Sequence, residues 1–312
     1  MAVGLLVLIA VIGYFAVQRY SNGGAGAPYC TATATAAGAG AGSDGSVQKY
    51  EMTPEQAANA ATIAAVGISK GLPDRAVTIA LATAMQESAL RNLDHGDRDS
   101  LGLFQQRPSQ GWGTAEQIMD PVYSAGIFYE HLADVPGYSR LPLTVAAQKV
   151  QRSGFPQAYA KHETDATVLT AAFGEVGTRA TLSCSGPAPR AGDPDKVRAE
   201  LARAFGKDAL TGSQDGAATG RKGADRPAEA EINVQLKREG GPGEARRGRA
   251  MAHWAVARSQ ELGIARVSYD GSTWIGGNGR GQWQVKGGNG AKGGGGDPHD
   301  SEPGEVRIFI AR

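Results

Sequence analysis

Glu87 is the residue whose type and placement most invite chemistry. Val77, Ala80, Ala84 and Glu87 are spaced 3, 4 and 3 residues apart, so on a helix they share one stripe. The stripe is apolar until its last member. A carboxyl group at the edge of an apolar face is poorly solvated as an anion, and its pKa rises. A raised pKa lets a carboxyl hold its proton near neutrality, as a general acid must. Taken alone, a cap or an ion pair with Arg91, four residues on, explains this carboxylate more readily.

The surroundings change that balance. The stretch MQESALRNLDHGDRDSLGLFQQRP covers residues 85–108. Within it Ser100 precedes Gly102-Leu103-Phe104-Gln105-Gln106. Two amides beside a partly buried acid suit the N-acetyl and hydroxyl groups of an amino sugar, and the acid then suits cleavage of a glycosidic bond. The alternative is a polar loop with no ligand. Asp94, Asp97 and Asp99 lie between the two parts. They can supply the second carboxylate that glycoside hydrolases use, or form a solvated acidic turn, or hold a cation. Asp97-Arg98-Asp99 lacks the glycine and distal Glu of a calcium loop.

Helices must position these groups. Thr53-Pro54-Glu55-Gln56 reads as a capping box with Pro at the first helical position, opening a helix that stops at Gly71. Asp74 is expected to cap the next helix, which runs to about Leu90 and carries Glu87. Thr114 with Gln117, and Asp120 with Pro121, mark two more starts. Leu143 to Phe173 is helical again, broken near Gly154 and Pro156. Residues 51–184 thus read as all helix, with one long loop at 91–113.

QESALRN…SLGLFQQRP resembles the pattern of soluble lytic transglycosylases and goose-type lysozymes, in which Glu-Ser is followed by Ser-x-x-Gly-Leu-Met-Gln and then Pro. Phe104 stands at the Met position. AAQKVQRSGFPQAYAKH, Ala146–His162, is similar to the later Ala-Tyr-Asn-Ala-Gly segment. There Gln148 replaces the Tyr, and Val150 or Gln151 replaces small residues. The stretch Thr53–Cys184 resembles the lysozyme-like domain of membrane-anchored actinobacterial cell-wall proteins. The resemblance implies that Glu87 is the general acid/base, that Ser88 and Ser100 support the site, and that Gln105 and Gln106 contact substrate. It places Gln148 and Tyr159 near the sugar pocket. It also implies a substrate: peptidoglycan glycan strands, cleaved at the β-1,4 bond between N-acetylmuramic acid and N-acetylglucosamine. Lytic transglycosylases need one acid because the muramic C6 hydroxyl attacks. A two-carboxylate muramidase, or a non-catalytic wall-binding scaffold, remains the alternative.

The remaining chain sets the context. Ala2–Val17 carries no charge, which reads as a single transmembrane anchor over residues 1–18, with a cleaved signal and a secreted product as the alternative. Residues 19–50 read as a Gly/Ala/Thr linker. Only two cysteines are present, Cys30 and Cys184. They bracket the helical domain, as a disulfide formed outside the cytoplasm would. The formal net charge is +1 with no basic face, which argues against nucleic acid.

A helix from Asp193-Pro194 and a flexible linker fill residues 185–228. In 229–312, Ile232, Val234 and Leu236 alternate as a strand, and residues 244–262 form a helix ending at Gly263. Val267 to Trp274 reads as a hairpin, and Val306, Ile308 and Ile310 as a last strand. Ala252–Trp274 resembles a C-terminal module of actinobacterial and fungal cell-wall proteins. His299 and Asp300 alone cannot make a zinc site, so neither metal nor cofactor is expected. Trp274 and Trp283 can stack on sugar but fit a core or hairpin better. The fold class is therefore a mostly α lysozyme-like domain, a small βαβββ domain dispensable for bond cleavage, and one N-terminal transmembrane helix.

Overall fold

Thr53 opens the first helix, α1 (Pro54–Ser69), through the expected reciprocal cap. Its hydroxyl accepts from the Gln56 amide at 3.2 Å, and the Gln56 side chain accepts from Thr53 N–H at 2.9 Å. The computed structural model describes residues 27–35, 46–174, 180–210, 214–216, 229–236, 242–277, 281–285 and 304–312. Helix α1 is Ala-rich and buried on nearly every side, which makes it a central helix rather than a surface one. Its small side chains let neighbours approach closely. A Cβ at Gly67 would lie 2.7 Å from the Tyr129 ring, and the Tyr129 hydroxyl donates to Ile63 O at 2.9 Å.

Around α1 lie α2 (Asp74–Ser88), the short α3 (Ala115–Ile118), α4 (Pro121–Ala133), α5 (Leu143–Gln151) and α6 (Glu163–Gly174). Thr114 and Asp120 cap α3 and α4 as expected. Pro73, not Asp74, occupies the N-cap of α2, with Asp74 as its first residue.

The expectation of an all-helical first region is corrected by a sheet. β1 (Tyr29–Thr35), β2 (Val47–Met52) and β3 (Ala180–Ser185) form an antiparallel sheet in the order β2-β1-β3. Part of the supposed linker is therefore strand. Alternation explains it: Cys30 and Ala32 are buried while Thr31, Thr33 and Thr35 are half-exposed. Cys30 and Cys184 are directly opposed between β1 and β3 and joined by a disulfide, with Cα atoms 4.0 Å apart. The bridge spans a sequence separation of 154, for which chain entropy gives about 5 kcal/mol. Reduction should therefore lower the unfolding temperature markedly, as calorimetry with and without reductant will show. Unchanged unfolding after complete thiol labelling would contradict this.

The C-terminal region is more elaborate than βαβββ. After α7 (Pro194–Phe205) come β4 (Gln214–Gly216), β5 (Glu229–Gln235), α8 (Pro242–Ala257) and α9 (Ser259–Leu262), then β6 (Ile264–Tyr269), β7 (Ser272–Ile275), β8 (Trp283–Val285) and β9 (Glu305–Ala311). The strands make one six-stranded antiparallel sheet, ordered β4-β5-β9-β6-β7-β8. The β6–β7 hairpin turns at Asp270 and Gly271, both left-handed at φ 47° and 67°, as a tight two-residue turn requires.

The sequence placed this sheet and the Glu87 helix in separate units. In the folded chain they share one continuous core, from Cys30 to Ile310. Helix α8 packs on α1, α6 and β3. Arg246 pairs with Asp74 at 2.6 Å and donates to Leu72 O at 2.9 Å. Arg249 donates to Ala180 O, and the Trp283 indole to Leu182 O, each at 2.9 Å. Trp274 is buried core.

The expected transmembrane helix is not among the described helices. Among the described residues no helix is long and apolar enough to cross a membrane. The segment 1–18 lies outside the described residues, as do Gly-rich 286–296 and His299 with Asp300.

His253 on α8 is buried at the junction, edge-on to Trp283 at 5.3 Å. Its Nδ1 has no hydrogen-bond partner among the described residues. Burial, helped by the Arg249 charge, pushes its pKa down to about 3, against a hydrogen bond to Ala172. The unfolded chain takes up this proton near pH 6.5. Stability from His253 is thus complete above about pH 6.5 and is lost as pH falls towards 3. At pH 5 the loss should be about 2 kcal/mol. Denaturant unfolding at pH 7.5 and 5 checks this, since His253→Gln should flatten the slope. An unchanged slope in that variant would contradict it.

Candidate active site

Glu87 sits on the last turn of α2, below the buried Val77, Ala80 and Ala84. The helix ends abruptly, with Ala89 and Leu90 both left-handed at φ 52° and 60°. For non-glycine residues this costs about 1–2 kcal/mol each. Two α1 side chains hold the turn: Gln56 donates to Ala89 O and Asn59 to Leu90 O, each at 2.8 Å. The position of Glu87 is thereby fixed from the central helix.

Two side chains act on the carboxyl, and a third fixes the turn that carries it. The hydroxyl of Tyr159, itself fully buried, donates to Glu87 Oε1 at 2.7 Å. Gln151, at the end of α5, helps to hold the carboxyl's pKa down and donates to Phe104 O at 2.7 Å. Ser88 Oγ donates to Leu103 O at 2.8 Å and ties the Glu87 turn to the following loop. Burial raises the Glu87 pKa, and the Tyr159 and Gln151 hydrogen bonds pull it back. Burial, then the Glu87 charge, raises the Tyr159 pKa strongly, so the phenol stays a donor.

The amide-bearing loop is a small hairpin closed by Leu101 and Gln106, which exchange backbone hydrogen bonds at 2.9 and 3.0 Å. Leu103 and Phe104 point into the core, and Phe104 stacks on Phe128 with centroids 4.6 Å apart. Phe104 thus anchors the loop. Gln106 donates to Ser124 O at 3.1 Å, and its Oε1 is buried without a partner among the described residues. Gln105, left-handed at φ 48°, donates to Gly102 O at 3.2 Å. Ser100 is buried in the same loop. Gln148 donates to Ser153 O at 2.8 Å and braces the turn that leads to Tyr159.

The three aspartates are engaged elsewhere. Asp94 pairs with His95 at 2.7 Å, which lowers its pKa, and its side chain is 87% exposed. Asp97 is 91% exposed. Asp99 accepts from Arg107 at 2.7 Å and from Ser109 N–H at 2.9 Å, and these bonds hold its pKa well below the usual range. Among the described residues no three His, Cys, Asp or Glu converge as a metal site.

A cleft of about 580 Å³ is lined in part by Gln105, Gln106, Trp112, Lys149, Gln151 and Arg152. Glu87 does not line it; Gln151 is common to the cleft wall and the acid's surroundings. Of the expected residues, the fold brings Gln105 and Gln106 to the cleft and Tyr159 to the acid. Ser88 ties the Glu87 turn to the loop and Gln148 braces the turn before Tyr159, while Ser100 is buried in the loop. Gln151 was legible only as a replacement within the weaker motif, and Trp112 only as an aromatic between two glycines. No family model matches this chain, and no curated protein is significantly similar to it.

Proposed function

We propose that the protein cleaves the β-1,4 bond between N-acetylmuramic acid and N-acetylglucosamine in peptidoglycan, as a lytic transglycosylase with Glu87 its one catalytic carboxyl. The observation that carries this reading is the Glu87 carboxyl itself. It is held by Tyr159 at 2.7 Å, its pKa is raised by burial, and Gln151 is common to its surroundings and to the wall of a cleft that also carries Gln105 and Gln106. The resemblance of the Glu87 segment to lytic transglycosylases supports the same reading. Protonated Glu87 gives its proton to the glycosidic oxygen as the bond to the muramic C1 breaks. The resulting carboxylate accepts the Tyr159 O–H and then takes the proton of the muramic C6 hydroxyl as that oxygen bonds to C1. The products are a 1,6-anhydro end and a free 4-hydroxyl, with no water consumed. The disulfide supports action outside the cytoplasm.

Release of soluble muropeptides from purified peptidoglycan tests the activity. Tyr159→Phe gives a finer check. Removing a donor that lowers the Glu87 pKa should move the alkaline limb of the pH–rate profile upward, because the acid keeps its proton to higher pH. A limb that stays in place would detach Tyr159 from the proton transfer.

A further inference from the structure

We infer that the cleft walled by Gln105, Gln106 and Gln151 takes the part of the strand that bears acidic substituents, with Lys149 and Arg152 pairing to a carboxylate or phosphate and Trp112 lying against the sugar. This rests on the glycan reading above and adds to it a requirement for charge.

Four observations converge. First, three cations and one acid line the cleft, Arg107, Lys149 and Arg152 against Asp134. Asp99 already neutralises Arg107 at 2.7 Å, whereas Lys149 and Arg152 have no carboxylate partner among the described residues. Unpaired cations in a concave site are natural anion partners. Second, Arg152 is the left-handed C-cap of α5 at φ 52°, its N–H bonded to Gln148 O at 2.8 Å, which fixes the backbone from which its side chain reaches the cleft. Third, Trp112 is stacked on His131 with centroids 4.3 Å apart, which fixes the indole as a rigid apolar platform. Fourth, Gln106 Oε1 and Gln151 Oε1 are buried in the wall without partners among the described residues. Such orphaned acceptors call for a donor, as the N–H and O–H groups of an acetamido sugar provide. A ligand with an apolar ring face, amide and hydroxyl donors, and an anionic arm satisfies all four.

Binding of muramyl dipeptide to the full chain tests this. The probe carries one sugar, its acetamido group and a free carboxylate, but no β-1,4 bond, so the result does not depend on Glu87 catalysis. Titration calorimetry should show the acid form bound at least about tenfold tighter than its carboxamide, as charge-assisted bonds predict. In the Lys149→Gln/Arg152→Gln double variant both forms should bind as weakly as the carboxamide does in the wild type. Displacement by inorganic phosphate at similar concentration would support the anion site and assign it to phosphate groups. Equal affinity for acid and carboxamide in the wild type, or no binding of either, would overturn the inference. Charge-dependent binding in a protein that cleaves no glycan would remove the catalytic reading and leave the anion site standing.

Discussion

Glu87→Gln is expected to lower the rate of peptidoglycan cleavage by about 10²–10⁴-fold, the usual contribution of general acid–base catalysis, while the protein stays folded. The substitution removes the proton and keeps the volume. Tyr159 can still donate to the new amide oxygen, and the supports from Gln56, Asn59 and Ser88 do not involve the carboxyl. The new carboxamide has no proton to give near neutral pH, so it cannot act as the acid. Asp94→Asn and Asp97→Asn should leave the rate nearly unchanged, because both side chains lie in solvent. Asp99→Asn should cost less than Glu87→Gln, through the loosened Arg107 beside the cleft. Initial rates on purified peptidoglycan, with circular dichroism to verify folding, decide this. A folded Asp99→Asn as inactive as Glu87→Gln would instead identify a two-carboxylate muramidase.

Truncation after Leu210 is expected to unfold the Glu87 region rather than release it as an independent unit. Helix α8 supplies much of the surface on which α1 and α6 rest, and Trp254 on it is completely buried. Its loss also strands Asp74 and the Leu72 carbonyl without Arg246. Trp254→Ala alone should cost about 3–5 kcal/mol, a large part of the 5–15 kcal/mol that holds an ordinary domain together. Removing the whole element exceeds that. Thermal unfolding followed by circular dichroism will compare the truncated chain with the full one. A truncated chain that melts cooperatively at the full chain's temperature would show that the C-terminal sheet is a true accessory.

What could be read from the sequence was local. The caps at Thr53, Thr114 and Asp120 were legible because a capping box is a four-residue interaction, complete within its own segment. The Asp270-Gly271 hairpin was legible for the same reason. Glu87 stood out because its stripe is apolar for ten residues before it.

The sheet β2-β1-β3 was missed. Its inward residues include Cys30, Ala32 and Ala34, too small to register as an apolar alternation, and β2 is an exposed, polar edge strand. The shared core was missed because no local pattern records that α8 will lie on α1. Trp112, on a loop, meets Lys149, Gln151 and Arg152, at the end of α5, in one cleft although the two segments are far apart in sequence. The bonds from Gln56 and Asn59 that fix the end of α2 span 33 and 31 residues and follow no sequence rule.

The measurement that bears most directly on the central claim is mass spectrometry of the strand ends left after the full chain digests purified peptidoglycan. With Glu87 as the one catalytic carboxyl and the C6 hydroxyl as nucleophile, the muramic ends will be 1,6-anhydro, lighter by one water than reducing ends, and Glu87→Gln will leave none above background. Reducing ends as the main product, or anhydro ends formed at an undiminished rate by Glu87→Gln, would contradict the account.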